Sequence, residues 1–154
     1  FRRSRGLGDV YKRQEVDYDI IGISYYPMYH GKSLSDLQNQ LSNLSANFGK
    51  EVLIAETSYP FTLGWNDWTN NNLGYEDHLI LPDYPASPEG QKDFIRDIKN
   101  LVFEVNNGIG FCYWGAELIA WDSETSTNGS TWENQAVYDF DNKALPVLQE
   151  FDLN

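Results

Sequence analysis

The sequence predicts an α/β fold in which parallel strands are covered by helices. Three short apolar runs alternate with two amphipathic helical patterns. Strands that read as continuous apolar runs are buried on both faces, which is the signature of parallel sheets. Two closed or open versions fit, a (β/α)8 barrel or a doubly wound sheet. No G-x-G-x-x-G or phosphate-binding glycine loop follows any strand, so the nucleotide-binding versions lose support.

The first strand is read over residues 19–26, Asp-Ile-Ile-Gly-Ile-Ser-Tyr-Tyr, and Pro27 stops it. A helix follows, with Leu34, Leu37, Leu41, Leu44 and Phe48 at steps of three and four, so that all share one face. Ser33 and Asp36 form its start and Gly49 its stop. Val52 to Ala55 is the second strand, which delivers Glu56 and Thr57 to its end. Ser87 caps a second helix and Pro88 opens it. Phe94, Ile95, Ile98, Leu101, Val102 and Val105 form its apolar stripe, and Asn106, Asn107 and Gly108 end it. The third strand is Ile109 to Trp114, with Cys112 read as an inert core thiol. A complete barrel needs ~250 residues. Three strands within 154 residues supply only part of one.

Charge separates the first fourteen residues from the rest. The whole chain has 23 acids and 11 bases, a formal charge of −12. Residues 1–14 hold five of the bases and one acid, leaving six bases against 22 acids, or −16, in residues 15–154. The leading segment lacks the apolar stretch of a secretion signal. It is read as a foreign or disordered leader, similar to adapter read-through at a truncated sequence end, and set apart from the fold. Residues 15–154 are then expected to be the C-terminal part of a longer protein. Such acidity argues against nucleic acid as a partner, because phosphate binding needs clustered Lys and Arg. No apolar run reaches the ~20 residues of a membrane helix. One cysteine excludes an internal disulfide.

Aromatic residues make up 15% of the chain, with five Trp and ten Tyr, and they gather after the strands. Ligands of parallel α/β sheets bind at the C-terminal strand ends. Residues 24–31 occupy one such place. Residues 56–85 occupy the second, with Trp65, Asn66, Trp68 and Asn70 to Asn72. Residues 114–135 occupy the third. Rings that stack on sugar C–H faces and amides that bond to hydroxyls suit a neutral carbohydrate. Glu56 is the sharpest single position, because a strand carries its carboxylate to the active end. A retaining glycosidase sets two carboxylates ~5–5.5 Å apart, one nucleophile and one acid/base. His30 and His78 are too separated to argue a metal site and read as loop histidines. No metal is therefore expected. Calcium on Asp122, Asp139 and Asp141 is the one ion considered, and solvated loop acids are preferred.

Four runs carry a resemblance. They are Ile21 to Pro27 (IGISYYP), Ile54 to Pro60 (IAETSYP), Phe111 to Glu117 (FCYWGAE) and Gly129 to Asp141 (GSTWENQAVYDFD). Together they resemble glycoside hydrolase family 53, the retaining endo-β-1,4-galactanases of type I arabinogalactan, over residues 15–152. The resemblance implies a (β/α)8 TIM barrel of which this chain holds strands six to eight. It implies that Glu56 is the nucleophile and that Tyr25 or Tyr26 hydrogen-bonds it, with Tyr25 preferred. Trp114 would floor the sugar beside the cleavage point, and Trp132 with Asn134 would line a neighbouring subsite. The family acid/base is a Glu after an Asn on the fourth strand, and no such pair occurs here. The polypeptide as given is therefore expected to be inactive. For the full-length protein the resemblance implies a polysaccharide substrate, no cofactor, a monomer, and an extracellular, periplasmic or cell-surface location. The alternatives are another retaining β-glycanase, for mannan or β-glucan, a non-catalytic carbohydrate-binding domain, and a fragment with no stable fold.

Overall fold

A computed structural model describes residues 17–152. The expectation for residues 1–14 lies outside the described residues. The elements run β1 (Ile20–Ser24), α1 (Pro27–His30), α2 (Leu34–Phe48), β2 (Glu51–Thr57), α3 (Pro88–Glu104) and β3 (Gly108–Tyr113). Short 3-10 turns cover Glu76–His78, Glu133–Gln135 and Pro146–Phe151. The three strands form one parallel sheet in the order β1-β2-β3. The predicted α/β class and strand-helix alternation hold.

Helix boundaries follow the predicted caps. The Ser33 hydroxyl accepts from the Asp36 N–H at 3.1 Å, and Gly49 closes α2 at φ +61°. The Ser87 hydroxyl accepts from the Gly90 N–H at 2.9 Å, with Pro88 in the first turn of α3. Gly108 is fixed by close approach. A Cβ there would sit 1.9 Å from the Val102 carbonyl oxygen. This lets β3 leave directly beneath the end of α3. The four-residue α1 was not predicted; Pro27 stops β1 but also opens a helical turn, as proline at a first helical position can.

The sheet has two unlike faces. Ile21, Ile23, Val52, Ile54, Phe111 and Tyr113 pack into the core with Leu37 and Leu41 of α2 and with Phe94, Ile95 and Ile98 of α3. Gly22, Ser24, Ala55, Cys112 and Trp114 are exposed on the opposite face. This corrects the reading of Cys112 as a buried thiol. Side chains alternate along a strand. The described residues cover only the face that carries Phe111 and Tyr113, so Cys112 between them is exposed. The Lys99–Glu150 ion pair at 2.7 Å ties the last turn of the chain to α3.

A break in strand pairing decides which face carries Glu56. Ile23 pairs with Ile54, but the next residue, Ser24, pairs with Glu56. Ala55 is therefore an extra residue in β2, a β-bulge. Regular alternation from the buried Val52 and Ile54 would turn Glu56 into the helix layer. One inserted residue reverses the side, so Glu56 joins Ser24 on the open face. Gly22 makes room, because a Cβ there would lie 3.0 Å from that of Ala55.

Candidate active site

The Glu56 carboxylate is held at the end of β2 by two hydroxyls. Tyr26 donates to its Oε1 at 2.7 Å and Ser24 to its Oε2 at 3.4 Å. The Tyr26 ring is 4% exposed, and burial is the main reason its phenol is pushed far above the usual range. The hydrogen bond to Glu56 and the charge of that carboxylate push in the same direction. The phenol therefore stays protonated and stays a donor at any working pH.

Tyr26, not Tyr25, is the tyrosine on the carboxylate. Ile21, Ile23 and Tyr25 fall on the helix side of β1 and its extension, whereas Gly22, Ser24 and Tyr26 fall on the open side. Tyr25 stacks on Phe94 with ring centroids 6.4 Å apart and donates its hydroxyl to the Gly31 carbonyl at 2.9 Å. It is a core residue that fixes the α1 turn, which corrects the preference for Tyr25. The turn also gives His30 a role that its reading as a loop residue missed. Its Nδ1 accepts from the Tyr26 N–H at 3.0 Å, and its ring lies 6.4 Å from that of Tyr26. The available signal was the spacing, since a residue four places after Tyr26 in a helical turn comes back beside it.

The aromatic candidates divide. Trp132 is half-buried and packs on Tyr26 at 5.9 Å, tilted by 51°, so the structure brings it to the Glu56 group. Trp114 ends the open-face series of β3 and is 48% exposed. Its N–H donates to the Thr57 carbonyl at 2.8 Å, which sets it level with Glu56. Trp65 is exposed in the loop after β2, as are Trp68 and, after β3, Trp121. No contact joins these three to Glu56. Asn134 has another position than the subsite expected of it. It is fully buried, and its Nδ2 donates to the Thr62 and Leu73 carbonyls at 2.9 and 2.6 Å. An amide committed to two backbone oxygens inside the protein braces the loop after β2 and leaves no hydrogen for a sugar.

Ser58, Gln91 and Gln135 complete a buried polar layer that the sequence reading did not single out. Ser58 donates to Gln135 Oε1 at 2.5 Å. Tyr113 donates to the Gln135 carbonyl at 2.6 Å. Gln91 Nε2 donates to the Tyr59 and Ala136 carbonyls at 2.9 and 3.0 Å. The signal for Gln91 was its place, a polar residue one turn before Phe94 and Ile95 on the apolar stripe.

Acids considered for calcium serve their own loops. Asp122 accepts from Ser123 N–H and the Ser126 hydroxyl, Asp139 from the N–H groups of Asp141 and Lys143, and Asp141 pairs with Lys143. Among the described residues no group of three or more His, Cys, Asp or Glu is arranged to hold a metal ion.

Glu133 is 1% exposed between Trp132 and Asn134. Its Oε1 accepts from Asn66 N–H at 2.8 Å, while Oε2 is buried without a partner. Burial, with the nearby Asp67 charge adding to it, raises its pKa. A carboxyl whose folded pKa is raised stabilises the protein fully below its unfolded value, about 4.3. That contribution is lost as pH rises through the folded value. Glu133→Gln keeps the acceptor and removes the ionisation. It is expected to raise the melting temperature at pH 7, to leave it nearly unchanged at pH 4, and to flatten the decline between them. A variant melting curve parallel to the native one across that range would remove Glu133 as the cause.

Residues 3–151 match the family described as Glycosyl hydrolase family 53. The chain is 37% identical over 139 residues to an arabinogalactan endo-beta-1,4-galactanase of Cellvibrio japonicus, covering 88% of this chain and 36% of the relative. It is 30% identical over 177 residues to an endo-beta-1,4-galactanase of Bacillus subtilis, covering 94% and 41%. Among solved structures, the Ignisphaera aggregans GH53 catalytic domain superposes with a TM-score of 0.82 at 37% identity, over 94% of this chain and 41% of that one. The chain spans about two fifths of the length of the curated relatives it matches. With a family match over nearly its whole length, the chain belongs to glycosyl hydrolase family 53.

Proposed function

We propose that the full-length protein is an endo-β-1,4-galactanase acting with retention, with Glu56 as its nucleophile. The observation that carries this reading is the Glu56 carboxylate, fixed by Tyr26 on the same open sheet face as Trp114 and against Trp132. The galactanase names of the relatives support the substrate class. Glu56 attacks the anomeric carbon of a β-galactosyl unit while an acid protonates the departing oxygen. A glycosyl ester forms on Glu56. Water then attacks that carbon, giving its proton to the same acid/base, and the Glu56 oxygen leaves as carboxylate. Tyr26 holds one carboxylate oxygen throughout, which leaves the other aligned for the carbon. Two carboxyls and water balance the reaction, so no cofactor enters it.

The acid/base is the family's fourth-strand Glu after Asn, a pair this sequence does not contain. The residues described here thus supply the nucleophile half, and the polypeptide alone is proposed to be inactive. The same reading makes the full-length protein a monomer that meets a polymer outside the cytoplasm, by secretion or at the cell surface. No helix among the described residues is long and apolar enough to cross a membrane. The test is hydrolysis by the full-length protein of β-1,4-galactan, with β-mannan and β-glucan in parallel and the first-formed anomer followed by NMR. Galactan cleavage releasing the β-anomer is expected. Cleavage of mannan or glucan in its place overturns the substrate, and an α-anomer overturns retention.

A further inference from the structure

We infer that His30 is a positioning residue for the nucleophile: its Nδ1 and its backbone N–H clamp the backbone of Tyr26, and Tyr26 carries that placement to Glu56. The inference rests on the assignment of Glu56 proposed above.

The sheet alone does not hold Tyr26. The Tyr25 N–H still donates to the Glu56 carbonyl at 2.8 Å. Tyr26 follows in extended conformation, at φ −135° and ψ 125°. Alternation along an extended chain therefore turns its N–H away from β2. His30 takes that N–H on its Nδ1 at 3.0 Å. It also returns a bond, because its own N–H donates to the Tyr26 carbonyl at 2.9 Å. Two reciprocal bonds between the same two residues close a ring. This is the arrangement of a capping box, with an imidazole where a carboxylate or amide would reach back. Both backbone polar groups of Tyr26 are thereby fixed by one residue. Accepting at Nδ1 requires a lone pair there, so the imidazole is neutral and carries its proton on Nε2.

The clamp is anchored to the core at its other side. Tyr25 stacks on Phe94 and donates to the carbonyl of Gly31, the residue next to His30. A path of contacts and one peptide bond thus runs from Phe94 through Tyr25, Gly31, His30 and Tyr26 to Glu56. The last step is the 2.7 Å bond from the Tyr26 hydroxyl. That hydroxyl stands at the far tip of its side chain, so a small rotation of the Tyr26 backbone is magnified there. A short, directional hydrogen bond tolerates little of that movement. His30 itself is exposed, so core packing does not account for its place.

In the full-length enzyme, His30→Ala is expected to lower kcat on β-1,4-galactan about tenfold with KM little changed, because alignment of the nucleophile is lost and no sugar contact is. His30→Asn sets an amide oxygen where Nδ1 stands and is expected to recover most of that loss. His30→Phe keeps a flat ring against Tyr26 without the acceptor and is expected to fall as far as His30→Ala. In a Tyr26→Phe background, His30→Ala is expected to have no further effect, because the hydroxyl it positions is gone. Recovery in His30→Phe, or its absence in His30→Asn, overturns the clamp. So does a raised KM at unchanged kcat, which assigns His30 to the sugar. Losses that multiply in the double variant separate His30 from Tyr26 and overturn it too. An imidazole 15N spectrum in mildly alkaline solution that places the proton on Nδ1 has the same consequence. A lower melting temperature with full kcat in His30→Ala assigns the residue to stability and also overturns the clamp. If His30→Ala does not fold, the Asn and Phe variants decide. Glu56→Gln is the control for the underlying assignment. If that variant turns over normally, the nucleophile is wrong. If it is dead while His30→Ala keeps full activity, only the clamp fails.

Discussion

Replacing Glu56 with Gln in the full-length protein is expected to lower kcat on β-1,4-galactan by about four orders of magnitude or more. The amide is nearly isosteric and can still accept the Tyr26 hydrogen bond at Oε1, so the fold and the ring packing around it should persist. What disappears is the negative oxygen that the proposed mechanism sets on carbon. Binding is expected to change far less, because the aromatic surfaces of Trp114 and Trp132 are untouched. A smaller variant separates the role further. Glu56→Gly leaves space beside the anomeric carbon, and azide added to the assay should enter from the face the carboxylate used. With an activated β-galactoside the product should then be the α-galactosyl azide. A β-azide product would identify Glu56 as the acid/base, since the true nucleophile would still have formed the ester first. Turnover within tenfold of the parent enzyme in Glu56→Gln would remove Glu56 from the chemistry.

The location of Glu56 was legible in the sequence, but its face was not. Four apolar residues leading to a carboxylate say that a strand delivers it to the end of the sheet. Period-two alternation from Val52 and Ile54 would then bury it against α3. The bulge at Ala55 reverses that outcome, and Ala-Glu-Thr carries no residue that announces a bulge. The Tyr25 and Tyr26 choice failed for a related reason. Alternation distinguishes the two only once one residue of β1 is placed, and it was the packing of Ile21 and Ile23 on the helices that placed it. The helices were legible almost to the residue because Ser33, Gly49 and Ser87 each satisfy a terminal group by local chemistry and Pro88 removes one unpaired donor. Asn134 was misread because a buried amide and a sugar-binding amide look alike in sequence. Its partners, the Thr62 and Leu73 carbonyls, lie 72 and 61 residues away.

Gln91→Leu is expected to destabilise the protein by about 3 kcal/mol, although it places an apolar residue on an apolar stripe. Leu fills a similar volume and would improve burial if Gln91 were only packing. Its Nε2, however, lies between the Tyr59 carbonyl at 2.9 Å, the Ala136 carbonyl at 3.0 Å and the Tyr113 hydroxyl at 3.1 Å. The first two are backbone groups, one after β2 and one after β3, and no substitution can make them apolar. Gln91 is fully buried, so water cannot take its place without opening the interface of α3 with both loops. Deleting one donor group thus strands two carbonyls, each of which costs about 1–3 kcal/mol when buried without a partner. Tyr113 keeps its own bond to the Gln135 carbonyl, so β3 itself should hold. The loss should appear as a lower denaturant midpoint at an unchanged slope, since the surface exposed on unfolding is the same. A midpoint within error of the parent would mean that the two carbonyls find other donors. Function should suffer beyond stability, well below the melting point. Tyr59 lies three residues after Glu56 and Ala136 four after Trp132, so releasing both carbonyls frees the segments that carry Glu56 and its aromatic neighbour. A drop in kcat at a temperature where Gln91→Leu is still fully folded is the sign of that release. The break in the apolar stripe of α3 is thus the point where a core helix ties together the loops that follow β2 and β3.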